Sequence, residues 1–363
     1  MPHKKVVWLE LFNDLIFVAA IAKVTHILLH LEEGVIPSSY LLKFVLIFVP
    51  IWWAWVGQTL YINRYGDDSM LQRMFMVIQM LFIIVMTASL SVDFDPYYLP
   101  FLTGYLGIRF ITAIQYFISA SEEYGERKLV AKFLGRGFLF GALISLCSLF
   151  FDGGVRYLVL YLGIAIDTII PLLGHKHLKK VPINTPHLLE RFGLLTLILL
   201  GEFIVSIIVI VKVKDSIFSG ITALVASFVL VIALWWQYFD NLEKKIDKES
   251  RTSGQIIIYG HLVIFMALSL LASTIQLSYI HPVDSTFLVN FSFGASLIYF
   301  GGTSIVFHKY RFTEDRLGFK HLILFLGLLG IFWTSSLLLP VSGLIVLIEM
   351  AVFFIVYSFL TVK

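Results

Sequence analysis

The chain is poor in charge and nearly devoid of cysteine. Only 14% of its 363 residues are Asp, Glu, Lys or Arg, where soluble domains carry roughly 25%, so composition alone argues against a soluble enzyme or binding domain. Cys147 is the single cysteine. That excludes an internal disulfide and a cysteine-based metal centre, and the apolar run Gly141-Ala142-Leu143-Ile144-Ser145-Leu146-Cys147 makes it a packing residue. No P-loop, nucleophile elbow, zinc-ligand spacing or Rossmann glycine pattern occurs, and His175-Lys176-His177 is too sparse for a metal site. Neither catalysis, a cofactor nor a metal is therefore expected. Net charge is only +3 and the basic residues are not gathered into one tail, so nucleic acid is not an expected partner.

What fills the sequence instead is apolar: 59% of residues are hydrophobic, 33 of them Phe, and the mean hydropathy is +0.90. One soluble core could not bury this surface, so the bilayer is the expected solvent. A spanning helix needs about 20 mostly apolar residues. That window gives twelve spans near 7–30, 39–63, 70–91, 97–120, 128–150, 155–174, 188–211, 217–240, 255–277, 287–308, 319–339 and 341–361. The last two are divided only by Pro340. The first carries Glu10, Asp14, Lys23 and His26 and lacks a small-residue cleavage site, so it reads as a retained span rather than a signal peptide.

Loop charge tests the count. With twelve spans, nineteen Lys and Arg fall on one side, from Lys4 and Lys5 through Arg127, Lys180 and Lys248 to Lys363, and only Arg156, Lys212 and Lys214 on the other. The positive-inside rule then places both termini in the cytoplasm. Leu9-Glu10-Leu11-Phe12 is echoed by Leu189-Glu190-Arg191-Phe192, and Trp52-Trp53-Ala54-Trp55 by Trp235-Trp236-Gln237-Tyr238, at nearly one offset. The expected architecture is all-α and polytopic, two six-helix halves over 1–180 and 181–363 arranged as parallel repeats.

Ionisable groups inside a span are costly and are functional candidates by default. Glu10 and Asp14 share one face of the first helix, with Asp14 roughly 10 Å in from its start. Arg109 lies too deep in the fourth span to snorkel and needs an anionic partner. Asp167 stands four residues before Pro171, which cannot donate to the Asp167 carbonyl; carboxylate and carbonyl could form an ion site at a broken helix, or a neighbouring Ser or Thr could satisfy the kink. In the seventh span Glu190 and Arg191 precede Glu202, with Arg191 and Glu202 nearly on one stripe. His261, in the ninth, could change protonation near neutral pH or be a satisfied interface histidine. Acids outnumber bases at depth, so at least one carboxyl should lack a fixed partner. The opposing reading is a set of permanent ion pairs that lock helices together. Trp8 suits an interfacial belt, whereas some of Trp52, Trp53, Trp55, Trp235 and Trp236 must line the interior. Asp67 and Asp68 followed by Arg73 read as a solvated loop or an entrance gate.

Several of these segments resemble the bacterial low temperature requirement protein A family: Trp8-Leu9-Glu10-Leu11-Phe12-Asn13-Asp14, Trp53-Ala54-Trp55-Val56-Gly57, Asn63-Arg64 with Asp67, Asp68 and Arg73, Arg109, Asp167, and His187-Leu188-Leu189-Glu190-Arg191-Phe192-Gly193 through Glu202. The resemblance covers nearly the whole chain. Asn13 stands where the family usually has a second phenylalanine, which puts a polar group beside Asp14. The resemblance implies a multi-pass protein of the bacterial inner membrane and names no substrate. The Phe12-Asn13-Asp14 region and the six-helix duplication are more loosely similar to the lysosomal potassium-channel family.

The function expected from these residues is proton- or cation-coupled secondary transport. Asp14, Asp167, Glu202, Glu10, Glu190 and His261 would bind the proton or cation, with Arg109, Arg191 and Arg73 as counter-ions. An ion channel, or a non-transporting sensor or lipid-organising protein with structural ion pairs, is the alternative. Membrane lipids and a small solute or ion are the expected partners, and a homodimer is compatible with the pattern.

Overall fold

The computed structural model describes residues 4–213, 217–279, 282–339 and 341–362. Lys214, Pro340 and Lys363, and the side chain of Lys212, lie outside the described residues. The described chain is helical throughout: α1 (Trp8–Ile27), α2 (Ser38–Arg64), α3 (Met70–Ala88), α4 (Phe94–Glu122), α5 (Gly125–Cys147), α6 (Gly153–Leu173), the single turn α7 (His175–Leu178), α8 (Thr185–Val213), α9 (Ile217–Lys244), α10 (Gln255–Leu277), α11 (Ser285–Tyr310), α12 (Phe319–Leu338) and α13 (Gly343–Val362). Two isolated β-bridges, Glu32 to Val35 and Ile246 to Arg311, are the extended pairings among the described residues.

Of these helices 11 are long and apolar enough to cross a membrane. The remaining long helix, α1, has the length but carries Glu10, Asp14 and Lys23 spread along it, so the first of the twelve expected spans is not among the 11. Local chemistry sets the helix starts. Ser69 accepts from Gln72 N at 3.4 Å ahead of α3, Asp284 from Phe287 N at 2.7 Å ahead of α11, and Asn184 from His187 N at 3.2 Å ahead of α8. Each side-chain oxygen satisfies an amide that the helix leaves unbonded. Between α1 and α2 the chain reverses through Glu33 and Gly34, with φ of 50° and 81°. Gly34 provides the second left-handed residue without a Cβ penalty.

Contacts divide the chain into two compact units, each discontinuous in sequence. The first comprises Met1–Val24, Val45–Arg191 and Glu249–Ile258. Within it every residue of α2 from Pro50 to Arg64 is buried, as expected for a helix whose whole circumference is enclosed by protein. Helices α3, α4, α5 and α6 pack each against the next. Gly141 and Gly163 bring α5 and α6 into backbone contact: a Cβ on Gly141 would stand 3.0 Å from the Gly163 carbonyl, the small-residue packing that membrane helices use in place of hydrophobic attraction. Cys147, read as packing, is instead exposed at the end of α5, because the buried stripe of that helix runs through Gly137, Gly141 and Ser145.

The second unit comprises Thr25–Phe44, Phe192–Lys248 and Tyr259–Lys363. Its main contact lays α13 along α9, with α11 and α12 beside them. Arg311 ties their ends together by donating to Asn241 Oδ1, to Thr361 O at the end of α13 and, at 3.1 Å, to Asp315 O. It is buried and its hydrogen bonds go to carbonyl oxygens, and burial draws its pKa below the ordinary guanidinium value against the opposing pull of Asp315. The tryptophans divide as composition required: Trp52, Trp53 and Trp55 are buried, while Trp8, Trp235 and Trp236 are exposed.

Candidate functional site

In the first unit the face of α1 bearing Glu10 and Asp14 meets Trp55 of α2 and His187 and Arg191 of α8. Arg191 NH2 donates to Asp14 Oδ1 at 2.8 Å, and Trp55 Nε1 donates to the same oxygen at 2.7 Å. Glu10 Oε2 lies 3.6 Å from Arg191 Nε and 3.4 Å from His187 Nε2, while Glu10 Oε1 accepts from Val7 N at 3.2 Å. All four ionisable side chains are at most 3% exposed.

Asn63 holds the histidine ring in place. Asn63 Oδ1 accepts from Asn184 N and Asn63 Nδ2 donates to Asn184 O, both at 2.9 Å. These two backbone bonds set which end of the Asn63 amide is nitrogen. The other Nδ2 hydrogen therefore points at His187 Nδ1, 3.1 Å away, so Nδ1 accepts and the ring proton sits on Nε2, facing Glu10. Two carboxylates face one guanidinium, with the His187 ring beside Glu10. Asp14 Oδ2, Asn13 Oδ1 and both amide atoms of Gln58, one turn along α2 from Trp55, are buried with no partner among the described residues, which is uncommon for interior polar groups.

On the opposite side of α2 lies a second arginine–aspartate pair. Arg109 of α4 donates from NH2 to Asp167 Oδ1 at 2.7 Å, and its Nε lies 2.5 Å from Oδ2. Tyr105 Oη, one turn earlier on α4, donates to Oδ2 at 2.7 Å. Both charged side chains are 0% exposed. The guanidinium lies over the rings of Phe138 at 4.5 Å and Trp53 at 5.7 Å. Gly57 permits this approach, since a Cβ there would collide with Arg109 NH1. The arrangement echoes the first site, where Arg191 lies 5.6 Å from the Trp55 ring. Residues two apart on a helix project to opposite sides, so the sequence Trp53-Ala54-Trp55 serves one site with each tryptophan. The two sites differ in charge: one acid to one base around Asp167, two acids to one base around Asp14. At Asp167 the helix continues past Pro171 to Leu173, and Arg109 and Tyr105 occupy both carboxylate oxygens.

The remaining predicted residues are dispersed. Arg73 is exposed in the first turn of α3 and binds Asp68 through Nε and NH2 at 2.8 and 2.6 Å; that hydrogen-bonded guanidinium holds the Asp68 carboxyl below its usual range. Glu190 points outward from α8 and is exposed. In the second unit Glu202 is buried, 6% exposed, with no basic side chain against it among the described residues. His261 Nε2 is hydrogen-bonded to Tyr238 Oη at 2.8 Å and packs on the Phe192 ring at 4.4 Å. Lys4 Nζ donates to Ile62 O and Gly66 O at the end of α2, where burial draws its pKa down against the opposing pull of Glu10 and Asp67. No group of three or more His, Cys, Asp or Glu positioned for a metal ion occurs among the described residues.

A scan for charge overlooks a chain of amides. Gln79 Nε2 donates to Thr112 Oγ1 at 3.1 Å and Gln115 Oε1 at 3.3 Å, Gln115 Nε2 to Gln72 Oε1 at 3.0 Å, and Gln72 Nε2 to Tyr61 Oη at 2.7 Å, which meets Ser119 Oγ at 3.0 Å. These bonds join α2, α3 and α4. Their signal in the sequence is spacing: Gln72 and Gln79 seven apart, and Thr112, Gln115 and Ser119 on one face of α4. His187, which is essential to the charge count at Glu10, was likewise visible only as part of a motif.

Eleven apolar spans and a charged first helix, with arginine–carboxylate clusters sealed inside, define a multi-pass α-helical membrane protein. The chain belongs to the bacterial low temperature requirement A protein (LtrA) family, which it matches over residues 5–358. It is similar to an uncharacterized protein of Rhizobium meliloti (strain 1021), with 27% identity over 300 residues covering 75% of this chain and 69% of that one. No solved structure matches it significantly.

Proposed function

We propose that the protein is a proton- or cation-coupled secondary transporter of the bacterial cytoplasmic membrane, with both termini in the cytoplasm, and that Glu10 and Asp14 carry the coupling ion. One observation supports this above the others: two buried carboxylates share a single guanidinium, Arg191, while the neighbouring imidazole accepts at Nδ1. A hydrocarbon interior tolerates balanced charge, and an excess carboxylate there has to take up a proton or a cation. Glu202 offers a second carboxylate without a basic partner. Arg109 and Asp167 are balanced one to one, and they serve as a fixed brace between α4 and α6.

The test is flux. In proteoliposomes with an internal pH-sensitive dye or a sodium- or potassium-sensitive dye, the wild type should dissipate an imposed proton or cation gradient. Asp14→Asn and Glu10→Gln should each slow it severalfold or more, and Arg73→Gln should not. Unchanged flux in the Glu10→Gln, Asp14→Asn, Glu202→Gln variant would exclude the proposal. The balanced Arg109–Asp167 pair favours a second reading for the charges as a whole, purely structural. That reading requires neutralised variants to lose stability in a protein that moves no ion.

A further inference from the structure

In the second unit a concave groove of about 540 Å³ runs between α9 and α13, and the molecule proper does not fill it. Its α9 wall is built at helical spacing from Phe228, Ile232 and Trp236, and continues to Asp240 and Lys244; Ser358 and Phe359 of α13 form the facing wall. The volume falls within the roughly 300–1,000 Å³ of ligand pockets, which are mostly apolar with a few placed polar groups. From Phe228 to Lys244 the wall rises about 24 Å at 1.5 Å per residue. That is close to half of a bilayer of about 40–45 Å including headgroups. The groove is thus one leaflet long and polar at one end only.

The polar end is organised. Asp240 Oδ2 accepts from Trp236 Nε1 at 2.6 Å and from Lys244 Nζ at 2.9 Å. Asp240 Oδ2 takes both donors and the carboxylate charge is offset, while the Lys244 side chain remains 58% exposed with two ammonium hydrogens still to donate. An indole and an ammonium at one helix end are also the side chains that favour the headgroup layer. Trp236 packs against Phe359 of the facing wall, ring centroids 6.0 Å apart, so the two helices meet there in one aromatic surface against which a chain can lie.

We propose that this groove is a binding site for one phospholipid, with an acyl chain held between α9 and α13 and the phosphate on Lys244. The inference is independent of the transport reading. A fatty acyl chain alone would use the apolar wall and none of the remaining ammonium hydrogens of Lys244; a phosphate at the headgroup end uses both.

The full-length protein in nanodiscs, doped with a photoactivatable diacyl phosphatidylglycerol or with the matching phosphate-free diacylglycerol, provides the test. Cross-links should map to 228–244 and 355–362, and phosphatidylglycerol should label them more strongly. Lys244→Gln, which leaves the groove intact, should remove about a tenfold preference for the phosphate-bearing probe, the worth of one charge-assisted hydrogen bond. Ser358→Phe should fill the floor and abolish labelling by both probes, with thermal unfolding confirming that the variant is folded. Labelling spread evenly over all lipid-facing helices, an equal yield from both probes in the wild type, or a protein–protein cross-link between two copies through the groove would overturn the proposal.

Discussion

Asp14→Asn and Asp167→Asn are the same chemical change at two buried sites, 2% and 0% exposed, yet the charge count assigns them different outcomes. At Asp167 the substitution leaves Arg109 with no carboxylate in a dry interior, and removing one member of a buried pair costs about 3–5 kcal/mol. At Asp14 the substitution leaves Glu10, 3.6 Å from Arg191, so the guanidinium keeps a carboxylate and no charge is stranded. The Asn Oδ1 can still accept from Trp55 and Arg191. Its amide nitrogen takes the place of Oδ2, which already lacks a partner, so the net loss should be about 1 kcal/mol. The measurement is equilibrium unfolding of both variants in the same mixed micelles, followed by tryptophan fluorescence. Asp167→Asn should be less stable than Asp14→Asn by at least about 2 kcal/mol, the gap between those two costs. The Asp167→Asn, Arg109→Met double variant should recover most of the loss, because the uncompensated charge is gone. Equal destabilisation at the two sites, or a larger loss at Asp14, would refute the assignment of surplus charge to the Glu10–Asp14 site.

Other consequences follow from packing. Gly57→Ala should destabilise the protein by about 1–3 kcal/mol, since the new methyl meets a guanidinium that Asp167 and Phe138 hold in place. Gly201→Ala, where an added Cβ meets nothing within 4 Å, should be neutral or gain up to about 1 kcal/mol from helix propensity; thermal unfolding of the two side by side checks both. Gln115→Leu breaks the amide chain at its centre and strands Gln72 Oε1, which is half-buried, at about 1 kcal/mol, the low end for a polar group left unsatisfied. Hydrogen exchange should show the loss concentrated in α3 and α4, and an even loss across the chain would contradict the proposed chain of bonds.

Much of this protein was legible before any coordinate. Helix positions follow from runs of apolar residues, because a backbone in hydrocarbon must satisfy its hydrogen bonds within each segment, and the expected 39–63 differs from the observed Ser38–Arg64 only by its ends. The depth of Asp14, Arg109, Asp167 and Arg191 was legible for the same reason: an ionisable group inside such a run has to be interior. The glutamines give no such signal because they carry no charge, although Gln72 and Gln79 stand at a helical seven-residue spacing. Glu190 was grouped with Arg191 by adjacency, yet neighbours on a helix diverge by about 100°, and α8 buries one while exposing the other.

The sequence by itself determined that this is a multi-pass helical membrane protein of a recognisable family and which of its acids and bases lie at depth, since solvent chemistry acts on each segment separately. Only tertiary structure decided the pairing: that Arg109 takes Asp167 alone, that Arg191 takes both Glu10 and Asp14, and that two tryptophans on opposite faces of α2 stand one at each site. Pairing depends on which helix faces meet, with His187 oriented through Asn63, 124 residues away in sequence, and the charge balance of a site is a sum over helices that no single segment contains.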